Sequence, residues 1–256
     1  MEPDWPDARN AFAWFLVEEG LTVEPANGKL KLKEAVEICQ RTLALNQPGK
    51  VPQDWAATQN NLGLALAELG IRSGAEEGRK LLADAVTAYH SALEVRTKAD
   101  LPQDWATTQN NLGNAFAELG TRSGAEEGCK FLMDAVTAYR SALEVRTKAE
   151  LPQDWAGTQN NLGLALAELE TRSGAEEGHK PLTDAVTAFR SALEVYNKAD
   201  LPQDWAMTQN NLGLALWELG KRSGGEEGRK LLTDAVTAYR SALEVYNKAD
   251  LPQDWP

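Results

Sequence analysis

The side chains with most to offer chemically in this 256-residue chain are amides that come in pairs. Asn60 and Asn61, Asn110 and Asn111, Asn160 and Asn161, and Asn210 and Asn211 each sit within the stretch TQNNLG. An Asn amide offers two N–H donors and one carbonyl acceptor, the complement of a peptide backbone. A row of such amides can hold an extended peptide whatever its sequence. It can equally bond one part of the chain to the next. Asn is a mediocre helix former, costing something like 0.5 kcal/mol relative to Ala. A pair repeated four times inside an amphipathic helical pattern therefore serves one of these two purposes.

No other constellation points to chemistry. His90 and His179 stand where other copies of the pattern carry Arg, as in Arg140 and Arg229. The recurring SGAEEG has no lysine-serine ending and no strand before it, so it is not a phosphate loop. Cys39 and Cys129 are too far apart in sequence for a metal-ligand spacing and form no disulfide framework. Cys39 falls where later copies have Tyr89 or Phe189, which places it in a core; Cys129 falls at Arg79 and Arg229, which places it on the surface. No catalytic residue, metal or cofactor is expected, and a reducing, cytoplasmic setting fits the free thiols.

The elements that must position the amides follow from the period, which is fifty. Trp5, Trp55, Trp105, Trp155, Trp205 and Trp255 recur without insertion or deletion. PQDW opens copies at 52, 102, 152 and 202, and returns at 252. The chain thus divides into repeats 1–50 (degenerate), 51–100, 101–150, 151–200 and 201–250, with 251–256 opening a sixth. Each repeat carries two helical stripes. Trp55, Thr58, Leu62, Ala65, Leu66 and Leu69 form the first; Leu82, Ala85, Val86, Tyr89, Ala92 and Leu93 form the second. Pro52 suits an opening turn and Gly70 an end. Pro181, in place of Leu81, predicts that the second helix starts near position 80 of each repeat, since an interior proline breaks a helix. Ser73 and Glu76 would then cap a short turn in the connector. Two helices cannot bury their apolar faces alone, so the expected fold is all-α, an α-solenoid of five stacked repeats in a single domain.

Composition sets the partners. The chain is 43% hydrophobic and 25% charged, with a formal net charge of −12. That excludes nucleic acid, whose phosphates need Lys and Arg, and an anionic membrane surface, and favours neutral to basic proteins. The apolar run at 11–17 is far too short to span a bilayer and lacks a basic leader.

Leu62-Gly63 in the first helix, with Ala85, Tyr89 and Ala92 in the second, resembles the signature of the tetratricopeptide repeat. Gly63 would let the helices approach and Tyr89 would fill the space beyond. The family's ordinary repeat is 34 residues; this one is 50 and looks most like the extended repeats of kinesin light chain and of many bacterial signalling proteins. The resemblance implies a right-handed superhelical arc with first helices on its concave side. It also implies peptide binding by Asn61, Asn111, Asn161, Asn211 and their neighbours.

At 100° per residue, with Leu62 at zero, Asn60 lies about 160° away and Asn61 about 100°. The expected groove floor is therefore Asn60, Asn110, Asn160 and Asn210, sharing an outer face with positions 57, 64, 67 and 68. On that face Leu64 becomes Asn114, while the fifth repeat carries Met207, Leu214 and Trp217, an apolar anchor site. Glu68, Glu118, Glu168 and Glu218 would add an acidic edge. The first helix has no Lys or Arg between Trp55 and Gly70, so a clamp for terminal carboxylates is not expected. The Trp ladder reads as core. A second function class is a self-associating solenoid, prompted by a sequence that stops at LPQDWP without a capping helix and by Phe12, Trp14, Phe15 and Val17 spread around the first helix. The other alternative is a fragment of a longer array that carries an effector domain elsewhere.

Overall fold

A computed structural model of the chain describes residues 6–45, 51–174 and 179–246. Trp5, Trp255 and the opening of the sixth repeat lie outside the described residues. Those described are helical, without a strand, in two compact units, Met1–Val145 and Arg146–Pro256. The first holds α1 (Pro6–Thr22), α2 (Pro25–Leu45), α3 (Pro52–Ile71), α4 (Ala75–Leu93), α5 (Pro102–Arg122) and α6 (Ala125–Leu143). The second holds α7 (Pro152–Ser173), α8 (Lys180–Ala192), α9 (Pro202–Arg222) and α10 (Gly225–Leu243). No described helix is long and apolar enough to cross a membrane.

Each first helix opens on its proline, as the sequence predicts, with Asp54, Asp104, Asp154 and Asp204 in the first turn where the helix dipole favours a carboxylate. Within a repeat the two helices cross at the Leu-Gly pair. A Cβ on Gly63 would meet the Tyr89 ring at 2.6 Å, and one on Gly113 would meet Tyr139 at the same distance. Glycine is therefore required there, and the buried aromatic fills the crossing.

Helices adjacent in sequence pack against each other within each unit, and first helices also touch first helices: α1 on α3, α3 on α5, and separately α7 on α9. Second helices make no such contact among the described residues. The first helices therefore run along the tighter side of each stack.

The second helix does not start near position 80 in most repeats. α4, α6 and α10 begin at 75, 125 and 225, with Gly74, Gly124 and Gly224 as extended N-caps and no side-chain cap, so the Ser73–Glu76 capping turn is absent. Two glycines permit the longer helix: a Cβ on Gly78 would lie 2.6 Å from the Gly70 carbonyl oxygen. Only α8 starts at Lys180, which puts Pro181 in its first turn. A helix begun five residues earlier would hold Pro181 in its interior, where proline lacks the N–H and clashes with the preceding turn.

The Trp ladder is a second correction. Trp55, Trp105, Trp155 and Trp205 are half-buried, and the position fully inside is the alanine that follows each. Of the aromatic and aliphatic residues spread around α1, Phe12, Trp14 and Phe15 are exposed and Val17 is buried. Cys39 is buried, which pushes its thiol up to about 12, and Cys129 is half-buried; both are free.

Candidate functional site

The first helix is buried on more sides than its own stripe implies. Leu62, Gly63, Leu66 and Leu69 are buried, Gly63 against Tyr89 of the second helix, while Thr58 and Asn60 are buried as well. Asn60 is 8% exposed and Asn160 3%, so neither floors an open groove. The angle from Leu62 is as expected, but the side opposite that residue is covered by the next first helix.

That neighbour supplies hydrogen bonds. Thr108 Oγ1 lies 3.2 Å from Asn60 Oδ1 and 2.9 Å from the Asp104 carbonyl, two acceptors for a single hydroxyl proton. Asn111 Nδ2 donates to the same Asn60 Oδ1 at 3.4 Å. In the second unit Thr208 Oγ1 and Asn211 Nδ2 approach Asn160 Oδ1 at 3.3 and 3.2 Å. Where nothing else meets these acceptors, each lost bond leaves a buried polar atom unsatisfied, which costs about 1–3 kcal/mol. Arg96, itself buried, adds a bond from Nη1 to Thr108 Oγ1 at 3.0 Å; burial lowers its pKa, opposed by Asp104. The TQNN core is thus a ladder from repeat to repeat.

Sequence reasoning missed the first rung. Asn10 Oδ1 accepts from Thr58 Oγ1 at 2.7 Å, Asn10 Nδ2 donates to the Asp54 carbonyl, and the Asn10 carbonyl accepts from Asn61. The period held the signal, because Asn10 is fifty residues before Asn60.

The other expected residues divide. Asn110, Asn61, Asn111, Asn161 and Asn211 are half-buried, and Asn210 is exposed. Asn114 is exposed and its Oδ1 accepts from Tyr139 Oη at 2.7 Å, so it steadies the second helix of its own repeat. Leu164, Met207, Leu214 and Trp217 are exposed on α7 and α9, which touch. Trp217 is 41% exposed, and Lys221 Nζ lies over its ring, 3.7 Å from the centroid. The acidic row is paired: Glu68 with Arg72, Glu118 with Arg122, Glu168 with Arg172, Glu218 with Lys221 and Arg222. The first helices thus present an amide-edged, charge-compensated face in the first unit and an apolar one in the second. Beneath the first, burial and then Glu68 push the Tyr89 phenol up.

One buried carboxylate was not foreseen. Glu170 replaces the glycine of Gly70, Gly120 and Gly220, and is 1% exposed. Its Oε1 lies 2.8 Å from His179 Nδ1 and 4.0 Å from Arg222 Nη1, while Oε2 has no hydrogen-bond partner among the described residues. Among the described residues no group of His, Cys, Asp and Glu is arranged to hold a metal ion.

Compared with models of known families, the sequence matches none, and a comparison with curated proteins finds no match either.

Proposed function

We propose that the chain is a tetratricopeptide-type array that holds a peptide or extended segment of a partner protein, neutral to basic in character, against its first helices. The observation that carries this reading is the group Leu164, Met207, Leu214 and Trp217. Four large apolar side chains stand exposed on two touching helices, in positions the fold does not use. Grouped exposed apolar residues with an aromatic among them are the usual mark of a binding face. Lys221 over the Trp217 ring supports the same reading, because it marks that face as one that takes a cation. The net charge of −12 adds a general attraction for basic partners. The two free thiols suit a reducing setting, so the proposed place of action is the cytoplasm.

Selection of a displayed random-peptide library against the full chain tests this. The expected result is an enriched family of peptides whose binding weakens about tenfold or more in Trp217→Ala, a loss of roughly 1.4 kcal/mol, with the melting temperature unchanged. A selection that enriches nothing, or enriches peptides indifferent to Trp217→Ala and Leu214→Asn alike, sinks the reading.

A further inference from the structure

Three departures from the repeat pattern meet within the first unit. Phe116 stands where repeats two, four and five have Leu66, Leu166 and Leu216, and Phe131 where they have Leu81, Pro181 and Leu231. His90 stands where repeats three to five have Arg140, Arg190 and Arg240. The Phe116 and Phe131 rings stack, with centroids 6.2 Å and planes 24° apart, and the His90 ring meets Phe116 edge-on. Both phenylalanines are half-buried.

These rings border a hollow. The second helices α4 and α6 do not pack on each other, and a cavity of about 700 Å3 lies among α4, α5 and α6, with Ala83, Leu119 and Phe131 as its apolar walls. The corresponding hollow of the second unit has Leu219 and Leu231 at the matching positions and holds about 440 Å3. A larger ring introduced to close a gap would leave the smaller hollow beside it. Phe131 borders the larger one, so the stacked rings line this space rather than fill it. Cavities of this size, apolar with a few polar groups, take small molecules.

The charge of the lining is the reverse of the chain's. Arg79, Lys80 and Arg122 stand there against Glu76 and Glu127, in a protein of net charge −12. Arg79 is held by Glu127 at 3.1 Å, which ties α4 to α6, and Arg122 donates to the carbonyls of Gly70, Ile71 and Ser73. Lys80 makes no ion pair among the described residues, whereas Lys130 pairs with Glu126 and Lys180 with Asp184. Its ammonium is left to meet a ligand.

We propose that this hollow is a binding site for a small molecule with a flat aromatic body and one anionic group. The ligand ring stacks on Phe131, extending the pair that Phe131 forms with Phe116, and the anion pairs with Lys80. Offset stacking suits such a ring, and water leaves the apolar walls when it enters. The site is independent of the peptide-binding reading, whose residues lie on α7 and α9.

Titration of the full chain with naphthoate, read by calorimetry, tests this. One-to-one binding is expected. Phe131→Leu, which restores the residue of repeats two and five and so keeps the fold, should weaken it about fivefold, as loss of an aromatic pair requires. Lys80→Gln should weaken it about threefold, the scale of an exposed ion pair. Naphthylmethylammonium, with the same ring and the opposite charge, should bind more weakly than naphthoate, and Trp217→Ala should leave naphthoate binding unchanged. Absence of binding, unchanged affinity in either Phe131→Leu or Lys80→Gln, or preference for the ammonium overturns the proposal. So does loss of binding in Trp217→Ala, which would seat the naphthoate on the apolar face of the second unit.

Discussion

The fourth and fifth repeats contain the same six residues, TQNNLG, on helices of the same kind, yet Asn160 is buried and Asn210 exposed. The nine residues from each Thr, 158–166 and 208–216, are identical, so the immediate sequence does not distinguish them. The leucines two residues on, Leu162 and Leu212, are equally buried, whether or not a further first helix follows among the described residues. Burial in this protein thus has two sources: one is internal to a repeat and legible in its stripe, and the other is supplied by the neighbour. An amide that looks like a ligand-binding group on a single helix becomes a structural acceptor once another helix is set beside it.

The comparison can be broken at several points. The largest effect should come from Leu162→Ala and Leu212→Ala, each expected to lose about 2–5 kcal/mol in denaturant unfolding. A much smaller loss at Leu212 would mean that the neighbour also governs the core. Next is Asn160→Ala. Removing an acceptor that Thr208 and Asn211 share should cost about 1–3 kcal/mol, read as a lower unfolding midpoint at an unchanged slope. Third, Glu170→Gly with Pro181→Leu, which gives the fourth repeat the residues of its siblings, should lengthen α8 by about a turn. The far-ultraviolet helical signal would rise, while stability moves by about 1 kcal/mol or less; an unchanged signal would show that other residues hold the shorter start. The smallest effect sharpens the comparison most. Asn210→Ala should gain roughly 0.5 kcal/mol, since an exposed Asn becomes a better helix former. A loss at both Asn160 and Asn210 would remove the distinction.

The parts of the fold legible in the sequence are those that depend on contacts within a repeat. The fifty-residue period, the helix pair, the proline openings, the Gly63–Tyr89 crossing and the burial of Cys39 all follow from local pattern and volume. A helical wheel misplaces Asn60 because it measures angles from one core only, and the helix that carries it, α3, has four neighbours. The start of the second helix was misjudged for a different reason. Pro181 belongs to the one repeat that also carries Glu170 in place of the glycine near the end of the first helix, so a local exception stood in for the rule. Asn10 could have been found by register alone, despite the degeneracy around it. In the candidate binding face, the exposed Met207, Leu214 and Trp217 were readable as departures from an otherwise constant pattern. The pairing of Glu68 with Arg72 was not, because the arginine lies beyond the helix end suggested by Gly70.

The glycine crossing and the amide ladder together bear on how such a chain lengthens. The first contact lies wholly within one repeat, and the second is the same pair of residue types at every junction where it is seen. A gene segment copied in frame therefore delivers a module whose internal contact is already complete and whose two edges already match its neighbours. Repeat number can change by duplication without a new interface having to evolve, which leaves only the outward-facing positions free to diverge.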